Sequence, residues 1–204
     1  MPGEKAFETL ADVQQGAMED APLTMELLGL VPYWLSEGAA VANTFTLKGM
    51  YLLTAPNMSG KSTLLRSALV AALLANVGLM VPCRKGADVP RFDNFFLRTA
   101  SFDVPAEGKS AFGVEMDDVR VILRDASRRS LVMVDEIGKG TSSRDGSALA
   151  GAILEHLDGL SLSGIFATHL HEVFELPLVL KHVQHKRMGL TMGPSGVPHW
   201  TFRL

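Results

Sequence analysis

At 204 residues, 47% hydrophobic and 20% charged, the chain is long enough for one substantial core and too apolar for disorder. A formal net charge of −3 excludes the overall basic footprint of a nucleic-acid binder, so any contact with DNA must come from a local patch or from parts outside this sequence. A single cysteine, Cys83, excludes an internal disulfide framework and fits a reducing, intracellular compartment; no neighbouring base or cation activates it.

The N-terminus, Met1-Pro2-Gly3-Glu4-Lys5, lacks a signal or transit pattern, so localisation is not readable from it. Residues 1–40 are predicted to be an N-terminal connector or partial segment, and 41–204 the main domain. Glu4–Leu30, broken at Gly16, Pro22 and Gly29, predicts a helix followed by an irregular connector. Pro32-Tyr33-Trp34 is an aromatic cluster that either stacks on a purine or packs under a sheet edge. Ala39–Leu47 and Met50–Thr54, joined at Lys48-Gly49, predict two antiparallel strands.

The second of these strands runs into Ala55-Pro56-Asn57-Met58-Ser59-Gly60-Lys61-Ser62-Thr63, the start of a helix that continues to Gly78. Strand, small-residue loop and helix make an anion site, because loop amides turn inward and the helix N-terminus adds its positive end. Lys61 is placed to reach β- and γ-phosphates, and the Ser62 hydroxyl can ligate Mg²⁺. Ala55 stands where the strict motif has glycine, a mild departure if φ there is negative. Apolar residues nearly surround the helix, which predicts burial between two layers. Its continuation to Val81 comes nearest to a membrane span, but Arg66, Ser67 and Asn76 interrupt it, so no membrane association is expected.

A polar loop between Val81-Pro82-Cys83 and Val89-Pro90 precedes a strand at Phe92–Leu97. Asp103–Gly113 is aperiodic and leads into a helix over Val114–Ala126, near whose end Arg124, Arg128 and Arg129 read as a solvated end that suits the helix dipole, with a DNA contact as the alternative. Ser130–Glu136 is a continuous apolar run ending in two acids, the pattern of a buried parallel strand that offers carboxylates at its C-terminal edge. Asp135 suits the Mg²⁺ shell, and Glu136 suits orienting or deprotonating an attacking water. After a polar loop at Ile137–Gly146, a helix is expected over Ser147–Leu157 with Asp145 as its cap. Ser163–Thr168 is another buried strand, ending at His169, where an imidazole can contact a γ-phosphate or the water. His171 falls on the following helix, while Lys181–Leu190 and Pro198–Leu204 read as a closing hairpin across Met192–Gly196.

Together, the phosphate loop from Thr54 to Thr63, Ser110–Met116, Asp135–Ser142, Asp145-Gly146 and Ala167-Thr168-His169 resemble the ATPase domain of the MutS family of mismatch-repair proteins. Gly78–Pro82 and Pro105–Ser110 are similar to the plant-type organellar members. The resemblance implies an α/β fold of the P-loop, ABC-type ATPase class, with a central mainly parallel sheet flanked by helices and added antiparallel strands. It implies ATP and Mg²⁺, a second such domain as partner, and a mitochondrial, plastid or nuclear setting. Ser110 would be the serine that reaches a partner's γ-phosphate in trans, with the Gly138–Asp145 loop at the same seam. Mismatched DNA would be met by domains absent from this sequence, so the chain is expected to be a piece of something longer. Ala55, Ser59, Ala111 and Lys139 depart from the usual family residues, and Ala40 stands where an adenine-stacking aromatic is usual. A small-molecule kinase of the same loop class and a non-catalytic nucleotide-binding module remain alternatives.

Overall fold

A computed structural model describes residues 21–36, 38–99, 110–138, 140–192 and 198–204. In chain order the strands are Thr24–Leu30 (β1), Asn43–Lys48 (β2), Met50–Thr54 (β3), Cys83–Asp88 (β4), Asn94–Arg98 (β5), Ser130–Asp135 (β6), Ser163–Thr168 (β7), Gln184–Arg187 (β8), Leu190–Met192 (β9) and Pro198–Trp200 (β10). The α-helices are Lys61–Asn76 (α1), Ala111–Asp125 (α2) and Ser143–Gly159 (α3), with a 3₁₀ turn at His171–Glu175.

Five strands in the order β5-β6-β7-β3-β8 make a parallel sheet. Its central strands have almost no solvent face, and the period of two sends alternate side chains to opposite layers. Tyr51, Leu53, Leu131, Met133, Ile165 and Ala167 pack into one cluster with Leu64, Leu65, Ala68 and Ala72 of α1. Met50, Leu52, Val132, Val134 and Phe166 pack into the other with Val119 and Ile122 of α2 and Ile153, Leu154 and Leu157 of α3. Truncating a fully buried ring such as Phe166 to alanine costs about 3–5 kcal/mol in a core of this kind.

The second layer over α1 is an antiparallel sheet in the order β2-β1-β4. Its hydrophobic residues Met25, Leu27, Phe45 and Leu47 share the α1 cluster. The predicted burial of α1 between two layers therefore holds.

Several local expectations change. The connector expected before Leu30 contains β1, and the polar loop expected after Val81 contains β4, which exists by pairing with β1. The strands around Lys48-Gly49 do not pair with each other. β2 alternates buried and exposed residues, whereas β3 is buried along most of its length, so they enter different sheets. The expected closing hairpin is split: β8 runs parallel beside β3, and only β9 and β10 pair antiparallel. Helix α3 starts four residues before its expected start, at Ser143, because Ser142 Oγ, not Asp145, accepts the capping bond, from the Asp145 amide. The helix expected from Glu4, the loop at 103–109, the hairpin link at 193–196 and Lys139 lie outside the described residues.

Candidate nucleotide site

The parallel register brings three strand ends level: Thr54 stands opposite Thr168, and Asp135 opposite Ala167. Each strand hands over at that edge to a segment carrying a functional group. Beyond β3 the loop turns through Met58 at φ +67 and Gly60 at φ +97 before α1 begins. Left-handed residues set into such a turn aim amides into a concavity, and Gly60 takes that conformation without the steric cost that Met58 bears, about 1–2 kcal/mol. Ala55, the departure from the strict motif, is absent from the positive-φ set, so its methyl group is unstrained there.

Lys61 opens α1 and is 4% exposed. Its Nζ donates to the carbonyls of Ala55 and Pro56, the latter at 3.1 Å, and lies 3.6 Å from Glu136 Oε1. The ammonium thus bridges the phosphate loop and the tip of β6. Asp135 and Glu136 are 9% and 7% exposed. Glu136 is itself left-handed, at φ +59, and its amide still donates to the Ala167 carbonyl at 3.0 Å, extending the ladder one residue past β6. Beyond β7, the Thr168 hydroxyl accepts from the Leu170 amide and closes the turn containing His169. His169 Nδ1 approaches to 3.5 Å from the same Glu136 Oε1.

The loop after β3 and the tip of β6 border a cavity of about 530 Å³, within the range of small-ligand sites, whereas His169 does not line it and reaches it only through Glu136. Asn57, Met58, Gly60, Lys61, Ser62, Thr63, Asp135 and Glu136 line its polar end. Leu30, Pro32, Leu35, Ala39 and Val41 add aliphatic lining, and Phe202, beside Gly60, adds an aromatic ring. Tyr33 and Trp34 do not line it; they are exposed and meet each other edge to face, 5.1 Å apart. Phe202 was not foreseen from the sequence. It follows β10 at φ +55, and a Cβ built on Gly60 would come within 3.1 Å of its ring. Nothing in the residues around Phe202 signals this, since its place depends on how the last strands fold back.

A triphosphate suits this donor set. Besides Lys61 and the loop amides, Ser59 Oγ is buried in the loop with no hydrogen-bond partner among the described residues. Ser62 and Asp135 line the same cavity and supply hard oxygen ligands of the kind Mg²⁺ takes.

Ser110 lies elsewhere. It is exposed at the N-cap of α2, where its Oγ accepts from the Gly113 amide at 3.2 Å, and it does not line the cavity. The arginines at the other end of α2 hold neighbouring groups: Arg124 pairs with Asp125, Arg128 donates to Ala21 O and Arg129 to Arg91 O. The fork raises the Arg124 pKa and lowers that of Asp125 through their shared hydrogen bonds.

Residues 51–197 match the family model "MutS domain V". The "DNA mismatch repair protein MSH1, mitochondrial" of Arabidopsis thaliana is 48% identical over 188 residues, 90% of this chain and 17% of that protein. The "DNA mismatch repair protein MutS" of Lactobacillus delbrueckii subsp. bulgaricus is 43% identical over 161 residues, 77% of this chain and 19% of that protein. That of Sorangium cellulosum is 48% identical over 128 residues, 62% of this chain and 14% of that protein. The chain thus spans less than a fifth of these relatives' length. Matched over most of its length by domain V, and folded as a P-loop α/β unit with its polar groups at one sheet edge, the chain belongs to the MutS family.

Proposed function

We propose that the chain binds ATP with Mg²⁺ and hydrolyses it, as the ATPase part of a DNA mismatch-repair protein that works as a pair of such domains. The observation that carries this reading is the convergence of Lys61, Asp135 and Glu136 on one cavity, with His169 3.5 Å from the Glu136 carboxylate. The ATPase unit is 41–204, completed by β1 as the middle strand of its antiparallel sheet.

The loop Ala55–Thr63 holds the phosphates, and Lys61 leaves its carbonyl contacts to neutralise the β- and γ-oxygens. Ser62 and Asp135 would hold Mg²⁺, which would supply positive charge to the phosphate oxygens. The aliphatic wall and Phe202 take the base, in place of the missing aromatic at Ala40. Glu136 accepts the proton of the attacking water at its carboxylate; the new bond forms from water oxygen to γ-phosphorus as the bond to the bridging oxygen breaks, releasing ADP and phosphate. His169 orients the same water or holds the γ-phosphate. Ser110, exposed and off the cavity of its own chain, meets the γ-phosphate bound by a second copy or a related domain. Contact with mismatched DNA belongs to other parts of the repair protein, whose setting is an organelle, by likeness to the mitochondrial relative.

Phosphate release from ATP, measured without any acceptor and against protein concentration, tests this. Release should rise more than linearly as domains pair, and Glu136→Gln should lower turnover about 10²–10⁴-fold while ATP still binds. Phosphate transfer only on adding a small acceptor would make the chain a kinase. Equal inactivity of the wild type and Glu136→Gln, with ATP bound, would make it a non-catalytic module.

A further inference from the structure

A second buried ion pair lies beside the backbone of Glu136, the proposed base, between elements the nucleotide chemistry does not use. Arg98, last residue of β5, and Glu115, in the second turn of α2, are 2% and 3% exposed. Arg98 Nη2 stands 3.4 Å from Glu115 Oε2. Arg98 Nη1 donates to the Thr99 carbonyl and, at 3.2 Å, to the carbonyl of Glu136. Glu115 Oε1 accepts from the Gly138 amide at 2.5 Å.

The backbone between these two contacts is where regular structure has ended. Glu136 and Gly138 both sit in the left-handed region, at φ +59 and +85. For Glu136 that conformation is intrinsically unfavourable and persists only where surrounding groups over-determine it. Gly138 has no room for a side chain either, since a Cβ would come within 2.7 Å of Gly146 Cα. A Cβ on Gly140 would come equally close to Phe112 Cβ on the first turn of α2. A guanidinium can serve two carbonyls and a carboxylate at once because its donors form a fixed fork.

We propose that Arg98 and Glu115 are positioning residues that latch the Glu136–Gly138 backbone and thereby aim the Glu136 carboxylate at the cavity. The proposal rests on the reading of Glu136 as the acid that activates water. Because Ser110 caps the same helix that carries Glu115, a displacement of α2 at its N-terminus reaches Glu136 through the latch, without passing through the phosphate loop.

The test replaces the pair by apolar side chains of similar size, Arg98→Met with Glu115→Leu, in the 204-residue chain. No uncompensated charge is then left buried, so the fold is expected to survive, which cooperative thermal unfolding checks. Turnover should fall at least about tenfold while the Kd of a fluorescent ATP analogue stays within about twofold, because the binding loop belongs to β3 and α1. Amide exchange across 136–138 should quicken by about tenfold, with 55–60 unchanged. Glu115→Gln, which keeps an acceptor for the Gly138 amide, should retain more turnover than Glu115→Ala, and it replaces the double variant if that one unfolds. Wild-type turnover in the double variant, or wild-type exchange at 136–138, overturns the latch. If the wild-type chain releases no phosphate, the ATPase reading fails separately, and the exchange measurement still decides whether the latch exists.

Discussion

The two larger sheets of this domain use the same backbone pairing for different ends. The central strands of the parallel sheet are buried on both faces, and β6 and β7 are buried at every position. Side chains at the tip of β6 are therefore held from two sides, and this is where Asp135 and Glu136 stand, with Lys61 beyond β3; the side chain of His169, one residue past β7, is already 40% exposed. The antiparallel sheet has one wet face: β2 alternates buried and exposed, and β4 is exposed along most of its length. It covers α1 and helps wall the cavity through Leu30 and Asn43, but brings no ionised group to it. Rigid placement of charge follows two-sided burial, while one-sided burial suffices for a wall.

Removing the charge that bridges the phosphate loop and β6 is the most direct way to break that division. Lys61→Ala deletes a buried ammonium that faces two carbonyls and Glu136. Losing a hydrogen bond to a charged group costs about 1.5–3 kcal/mol, so the Kd for ATP should rise about 10- to 150-fold. Although α1 stays packed through Leu64, Leu65, Ala68 and Ala72, the buried Glu136 carboxylate loses its neighbouring cation, so the melting temperature should fall by a few degrees. Titration with a fluorescent ATP analogue and a thermal melt check both halves. A large drop in melting temperature would mean that the charged tip also holds the sheets together.

The same division governs what the sequence made legible. Ser130–Asp135 and Ser163–Thr168 are continuous apolar runs, so their burial and the acids and histidine beyond them could be read directly. Glu136 could be named, but its left-handed backbone could not, because that depends on Arg98 and Ala167 from other elements. In the antiparallel sheet the signal is weaker. β1 is broken by Gly29 at φ +74, where its register with both neighbours shifts, and β4, Cys83–Asp88, carries no apolar alternation because it is an exposed edge. Ser142 and Asp145 both suit an N-cap by residue type, and only the fold decides for Ser142, whose hydroxyl meets the Asp145 amide and carboxylate. The Arg98–Glu115 pair had no local signature at all, since it joins a strand end to a helix through space.

Ser110 sharpens the contrast, since it is a proposed functional residue held on one side only, by its bond to the Gly113 amide. Ser110→Ala should lower stability by about 1 kcal/mol through the lost cap, and it should remove the cooperative part of phosphate release. Ser110→Asn keeps a capping oxygen and should restore the stability while leaving turnover low. Chemical denaturation and the concentration dependence of turnover separate these effects. If Asn restores both, Ser110 is a cap and nothing more.

The smallest effect expected is at Cys83, within the antiparallel sheet, where its partner across the ladder is Leu30. Burial raises the thiol's pKa, and a backbone hydrogen bond with Leu28 only partly opposes this. The thiolate is the reactive form, so at pH 8 a smaller fraction of Cys83 is reactive than of an unburied cysteine. Labelling by a disulfide reagent should therefore run several-fold slower than for a free thiol peptide, and the difference should shrink as pH rises through and beyond the ordinary thiol pKa, about 8.5. Steric shielding alone would slow labelling by the same factor at every pH. A rate equal to that of the peptide at pH 8 would show that β4 opens from β1 readily, and the wall sheet would then be a less permanent part of the fold than the strand tips it faces.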